Sequence, residues 1–431
     1  MMISRRTALG TMGGLAAAAS LAGCGGGAGS AGGGGGSTTV RVTLANHVWT
    51  ENIKGAIAEF ESASGLKVEL TQLAEDQLSD QYNVKLNAGT SEIDVMMYRP
   101  LQEGRLFAQN GYLADLAERA SADAEWNLAD FQSGPIAATT FENVLKGVPI
   151  ITEREVLYYR KDLLEQAGVS VPTTLDELEA AARTIKESGT AGFVARTGRT
   201  AAVTQFSSFL FSHGGDFTDA SGAAAVNSSA AKDAYAYYGR LLREYGPDNV
   251  STDMSWPEAM AVFTQGQAAF YTEADSLYKN ATDPAKSRVS DTVGFAVFPA
   301  GAAGSRPYNI PSWALGINES SENADNAWEF VKWATSRAMI LTQQKAGVPG
   351  PRQSVWDDPE GISTYPADLA EAILASTESG VGHDRPVVAQ VVRAREAVGQ
   401  PIVDAITGGD VSASADAANA EFQAVLDAEK K

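Results

Sequence analysis

Five segments alternate between strand and helix from Val40 to Tyr98, and that alternation restricts the fold more than any other feature of the chain. Val40 to Ala45 alternates apolar and polar residues as a half-buried strand does. Glu51 to Ser64 places Ile53, Ile57 and Phe60 on one helical face, and Gly65 ends the helix. Lys67 to Leu73 reads as a second strand, Gln77 to Ala88 as a second helix and Ile93 to Tyr98 as a third strand. A βαβαβ unit implies a mainly parallel sheet with right-handed crossovers, and ligands of such sheets sit at the carboxyl ends of the strands. Those ends are His47 to Asn52 and Tyr98 to Gln102. A chain of 431 residues exceeds one compact core and suits two lobes.

A second stretch joins the parts. Gly147 to Leu178 runs from a short apolar strand through Glu153, Arg154 and Glu155 into the aromatic strand Val156 to Tyr159. The helix Lys161 to Ala167 follows, stopped by Gly168, with Pro172 preventing its continuation; Thr174 and Glu177 then form a capping box. Gly147, Val148 and Pro149, an acidic residue, Leu157 to Leu164, Gly168, Pro172, Thr174 and Leu178 stand in an order that resembles the extracellular solute-binding proteins of ABC importers. Further positions agree with that family: Asp94 before Val95 to Met97, the pair Gly214 and Gly215, Phe263 with Gly266, Ala268 and Ala269, and the loop Gly347 to Ser354. The resemblance covers nearly the whole chain from Val40. It implies an α/β, periplasmic-binding-protein-like fold, two lobes joined by a hinge with a ligand cleft between them. It also implies that Gly147 to Leu178 carries the chain between lobes, with its acidic residue reaching the cleft.

Charge and cysteine narrow the function. There are 53 acidic and 33 basic residues, a net charge of -20 that repels phosphate backbones and anionic headgroups, so nucleic acid is excluded as a partner. The single cysteine, Cys24, permits no intrachain disulfide. Arg5 and Arg6 precede the apolar run Ala8 to Ala22, and Leu21, Ala22, Gly23 and Cys24 match the lipobox of bacterial lipoprotein signals. Ser4 to Leu9 resembles a twin-arginine signal that lacks its aromatic and basic positions. Residues 1–23 are thus expected to be a signal peptide and 24–37 a lipidated, glycine-rich tether. The GxGxxG spacing in that tether follows no strand and is not a phosphate loop.

No catalytic template is present in the sequence. The three histidines, His47, His213 and His383, lie far apart, without an HExxH pair, and neither a GxSxG elbow nor a GxxxxGK[ST] loop occurs, so no metal or cofactor is expected. A neutral sugar needs flat aromatic rings for its C–H faces and carboxylates, amides or arginine for its hydroxyls. Residues at strand ends meet that need: Trp49, Glu51, Asn52 and Tyr98 in the first lobe, Glu153 in the connecting stretch, and Asp275, with Glu273 beside it, after the strand that follows Gly266. His213, Trp313 and Arg352 complete the candidate set, Arg352 through a bidentate contact to adjacent hydroxyls; Tyr98 also matches a sugar-stacking position of the family. Each has a plainer alternative. Trp49 and Trp313 suit a core, Arg99 a surface ion pair and Glu153 a hinge salt bridge with Arg154, while Trp328 and Trp333 read as core.

The expected lobes are residues 38–149 with 296–336, and 150–295 with 337–431; Thr292 to Pro299 reads as a strand returning to the first lobe. The expected function is a substrate-binding lipoprotein of an ABC importer. It would capture a mono-, di- or oligosaccharide or a polyol and deliver it to a membrane permease, as a monomer anchored to the outer face of the cell membrane through Cys24. The alternatives are a lipid-anchored glycoside hydrolase pairing Glu153 with Glu273 or Asp275, a binding protein for a polyamine or peptide, and a sensor subunit.

Overall fold

The computed structural model describes residues 37–430. Its first strands are β1 (Thr39–Ala45), β2 (Lys67–Leu73) and β3 (Val95–Tyr98), with β1 parallel to both others. The helices Val48–Ser64 and Glu75–Asn87 make the crossovers, as a parallel arrangement requires. A hairpin of β4 (Thr140–Phe141) and β5 (Val144–Leu145) precedes β6 (Val148–Arg160), a single 13-residue strand where the sequence pattern suggested two. Beyond it lie β7 (Ala191–Val194), β8 (Ala268–Ala274), β9 (Val293–Val297) and β10 (Asn309–Ile317).

The sheet runs β2-β1-β3-β10-β6-β8-β7, with β9 also on β6. β10 is antiparallel to β3 on one side and to residues 148–154 of β6 on the other. From Glu155 onward β6 changes neighbours, taking β8 and β9 as antiparallel partners, and β7 pairs parallel to β8. One strand therefore belongs to two half-sheets. Around the first half-sheet Val40, Val42, Met96, Ile151, Leu315, Phe330 and Trp328 form one core. Along the distal half of β6, Leu157 packs into a layer with Phe193, Phe206, Phe209 and Tyr238, while its neighbour Tyr158 packs into the opposite layer with Phe263, Tyr271 and Phe295. Alternation with period two, apolar on both faces, is what a strand covered by helices on both sides demands.

The connecting stretch behaves as its residues dictate. Gly168 ends the helix Lys161–Ala167 at φ 65, and Thr174 with Glu177 closes the capping box of Leu175–Glu187. Gly147 is required sterically, because a Cβ there would stand 2.2 Å from the Tyr98 hydroxyl.

Two lobe assignments are corrected. β9 does not return to the first half-sheet: it pairs with Val156 to Arg160, Phe298 packs on Phe209 at 4.9 Å, and Ala300 N donates to Thr173 O at 2.8 Å. The chain crosses back only at Tyr308 and Asn309. An alternating pattern identifies a strand but not the edge it joins, and Phe295 finds its burial against Tyr158 at 4.9 Å. Residues from 337 onward are not all in the second half either, since Met339 and Val348 lie in the first core.

Candidate functional site

Between the two half-sheets lies a cleft of about 300 Å³ lined by residues of both. Its floor is where β6 passes from one half-sheet to the other. Alternation along β6 turns Glu153 into the cleft and Arg154 to the opposite face, where Arg154 pairs with Asp275 at 2.8 Å, both side chains fully buried, over the Trp356 ring. Ser276 Oγ donates to Glu153 Oε1 at 2.8 Å. Burial pushes the Glu153 carboxyl up to about 7; the bond from Ser276 and the charge of Arg196 offset this in part, and the neighbouring acids Asp275 and Glu273 add to it.

One wall comes from β10. Its register with β6 is irregular between Pro311 and Ala314, which sets Ser312 and Trp313 against the cleft. The Arg99 guanidinium lies 5.7 Å from the Trp313 ring and the His47 ring 6.3 Å from it. The Ser312 hydroxyl is buried with no hydrogen-bond partner among the described residues, a group left for a ligand to satisfy. Burial lowers His47 to about 4, so its ring is neutral; Nδ1 accepts from Trp49 N at 3.1 Å and Nε2 carries the proton.

The facing wall belongs to the second half. Arg196, just past β7, binds Glu273 through Nε at 2.8 Å. Arg385 donates to Gln102 Oε1 at 2.9 Å, across the cleft, and to Thr204 Oγ1 at 3.3 Å, with its fork on Asp384. Burial alone would raise Asp384, but Arg385 and Arg395 hold it down to about 2. Trp256 lines the cleft and is partly open to solvent.

Of the residues expected from sequence, the cleft brings together Glu153 and Trp313. The others lie elsewhere. Trp49 is fully buried in the first core, because the helix begins at Val48 and Trp49 with Ile53 forms its inward face. Glu51 is an exposed partner of Lys54 at 3.1 Å and of Gln72. Asn52 donates to Gln343 Oε1 at 2.9 Å. Tyr98 is buried and lines a neighbouring cavity of about 260 Å³ rather than the cleft. His213 caps the helix Ala202–Ser212 and holds Phe209 O at 2.8 Å. Asp275 is locked to Arg154 and Glu273 to Arg196. Arg352 is buried against Phe131, donating to Thr335 O, Trp126 O and Asp130. Cys24 lies outside the described residues. The rule of strand ends, applied to β7, would have found Arg196. His47 and Gln102 fall in the stretches that rule marked; Arg385 carries no local signal beyond its place before Pro386.

Among the described residues no group of three or more His, Cys, Asp or Glu is placed to hold a metal ion, and no helix is long and apolar enough to cross a membrane.

Two α/β lobes sharing a hinge strand, with polar and aromatic groups of both meeting in the cleft, define a two-lobed binding protein of the periplasmic type. Residues 46–339 match the model of the bacterial extracellular solute-binding proteins, and the chain belongs to that family. It is 26% identical to the mannitol-binding protein of Pseudomonas aeruginosa, over 69% of this chain and 70% of that one. It is 24% identical to the erythritol/L-threitol-binding protein of Mycolicibacterium smegmatis, over 74% and 72%. Among solved structures, maltose-bound MalE3 of T. maritima superposes with a TM-score of 0.75 at 27% identity, covering 89% of this chain and 99% of that one. A solute-binding protein of Agrobacterium radiobacter in complex with ribitol gives 0.76 at 24%, over 90% and 98%.

Proposed function

We propose that this chain captures a polyol or sugar in the interlobe cleft and hands it to the permease of an ABC importer. The observation that carries the reading is the composition of the cleft: the Glu153 carboxyl, the unpartnered Ser312 hydroxyl and the Trp313 ring beside Arg385 and Gln102. Hydroxyls buried without partners are costly, so a polyhydroxylated solute is held by groups that can both donate and accept. A protonated Glu153 does both. Contacts to a solute come from β6 and β10 on one side and from Arg196 and Arg385 on the other, so the solute favours the closed arrangement by its differential affinity for it.

We place the lobe boundary within residues 152–155 of β6, at residues 308–309, and between Val348 and Trp356, which pack in different cores. Cys24 is proposed as the lipidated anchor that holds a monomeric receptor outside the cell membrane. Binding rather than glycoside hydrolysis is supported by the fate of the acids that would assist Glu153: Glu273 and Asp275 are each committed to an arginine.

Thermal unfolding of the purified protein against sugars, polyols, amino acids and polyamines tests the reading. A solute at ~100 times its dissociation constant adds ~2.7 kcal/mol. One sugar or polyol is expected to raise the midpoint and to be recovered intact. Trp313→Ala should then weaken that solute ~10-fold or more, ~1.4 kcal/mol, and also lower ligand-free stability, because the ring is buried in the first core. A shift by amines alone would overturn the solute class.

A further inference from the structure

The cleft has a neighbour. The cavity of about 260 Å³ that contains Tyr98 is lined by the same two segments that line the cleft, residues 98–105 of the first half and 382–388 of the second. Leu101 faces both spaces. Where the two segments meet, Arg385 donates to Gln102 Oε1 at 2.9 Å.

We propose that the Gln102–Arg385 bridge, with Leu101 beside it, divides the interlobe space into two chambers and so limits the solute to a single sugar unit or a short polyol. The inference rests on the carbohydrate reading of the cleft. Three observations support it.

First, both ends of the bridge are fixed. Arg385 is held by its fork on buried Asp384 and by Thr204. Gln102 sits in the turn Pro100–Gly104, whose backbone is tied to Arg99: Gln102 N donates to Arg99 O at 3.0 Å, and Arg99 N donates to Glu103 Oε2 at 2.9 Å. Second, the chamber on the Glu153 side, about 300 Å³, stands at the lower end of the ~300–1,000 Å³ typical of small-molecule sites. Third, the far chamber has groups that suit another sugar unit. Buried Tyr98 lines it. Arg105, whose Nε stands 3.6 Å from Glu429 Oε2, lies over the Phe141 ring at 5.4 Å, and Lys146 stands nearby. What separates the chambers is therefore a contact between side chains, not a lack of sugar-compatible chemistry beyond it.

Calorimetric titration with single-unit probes (D-mannitol, ribitol, D-glucose) and two-unit probes (maltose, trehalose, cellobiose) tests this. The unmodified protein is expected to bind its best single-unit probe about 100-fold or more tighter than any two-unit probe. In Gln102→Ala, and separately in Leu101→Ala, the ratio of two-unit to single-unit affinity should rise about 10-fold or more. Two-unit binding as tight as single-unit binding in the unmodified protein would overturn the partition and leave the carbohydrate reading standing. If both variants fold, by circular dichroism and unfolding midpoint, and the ratio does not move, the bridge is not the limit. If no carbohydrate of either class binds, the carbohydrate reading itself falls, and the partition with it.

Discussion

Glu153 keeps a proton that a solvated glutamate would lose. Its carboxyl is pushed from 4.5 up to about 7, first by burial. The folded protein therefore binds more protons than the unfolded chain between those values, and the stability from this site, present in full below pH 4.5, is lost as pH rises through 7. The shift corresponds to ~3 kcal/mol. His47 acts in the opposite sense: burial lowers it from 6.5 to about 4, so stability rises with pH across that interval. Comparing Glu153→Gln with the unmodified protein isolates the first effect. The variant's advantage in unfolding midpoint should grow from pH 5 to pH 7.5, and parallel curves would show that Glu153 is ionised in the fold. At this scale sequence reasoning picked out Glu153 and Trp313, because alternation along a strand and the strand-end rule concern where a residue sits. It missed on Trp49 and Tyr98 for the same reason. Both stand near strand ends, but which way an aromatic turns is decided by the helix start at Val48 and by the space left at Gly147.

The segment between Gly347 and Trp356 shows how an element can look functional and be structural. Arg352 lies in a proline-flanked loop, and the sequence offers no sign that Trp126, Asn127 and Asp130, more than two hundred residues earlier, wait to receive three of its hydrogen bonds. Its role is to pin this loop to the first core. Arg352→Met should destabilise the protein by ~3–5 kcal/mol, since Asp130 loses the partner of its charge. Solute affinity measured at low temperature should stay within about twofold of its original value. Denaturant titration and calorimetry on the same variant decide it; lost affinity with intact stability would return Arg352 to the binding site. Elements were otherwise well marked in the sequence. The capping box at Thr174, the stop at Gly168 and the period-two pattern of β6 are local signals, and local physics was enough. The irregular register that sets Ser312 and Trp313 against the cleft depends on β10 meeting β6, and has no such signature.

For the whole molecule, the opening alternation was sufficient to announce a parallel α/β lobe, and the excess length a second one. The partners of the later strands were not legible: β9 and β10 are close in sequence yet belong to different half-sheets, because what each buries is decided across the chain. That arrangement also sets a timetable. β10 lies between β3 and β6, but β6 ends at Arg160 and β10 begins at Asn309. A ribosome adding ~5–20 residues per second needs about 7–30 s to make the residues between them. Throughout that interval β3 and β6 have no neighbour on the edges that will face each other through β10. The first lobe, though begun first, stays open until β10 is made, and until then its strand edges are exposed to whatever binds open edges.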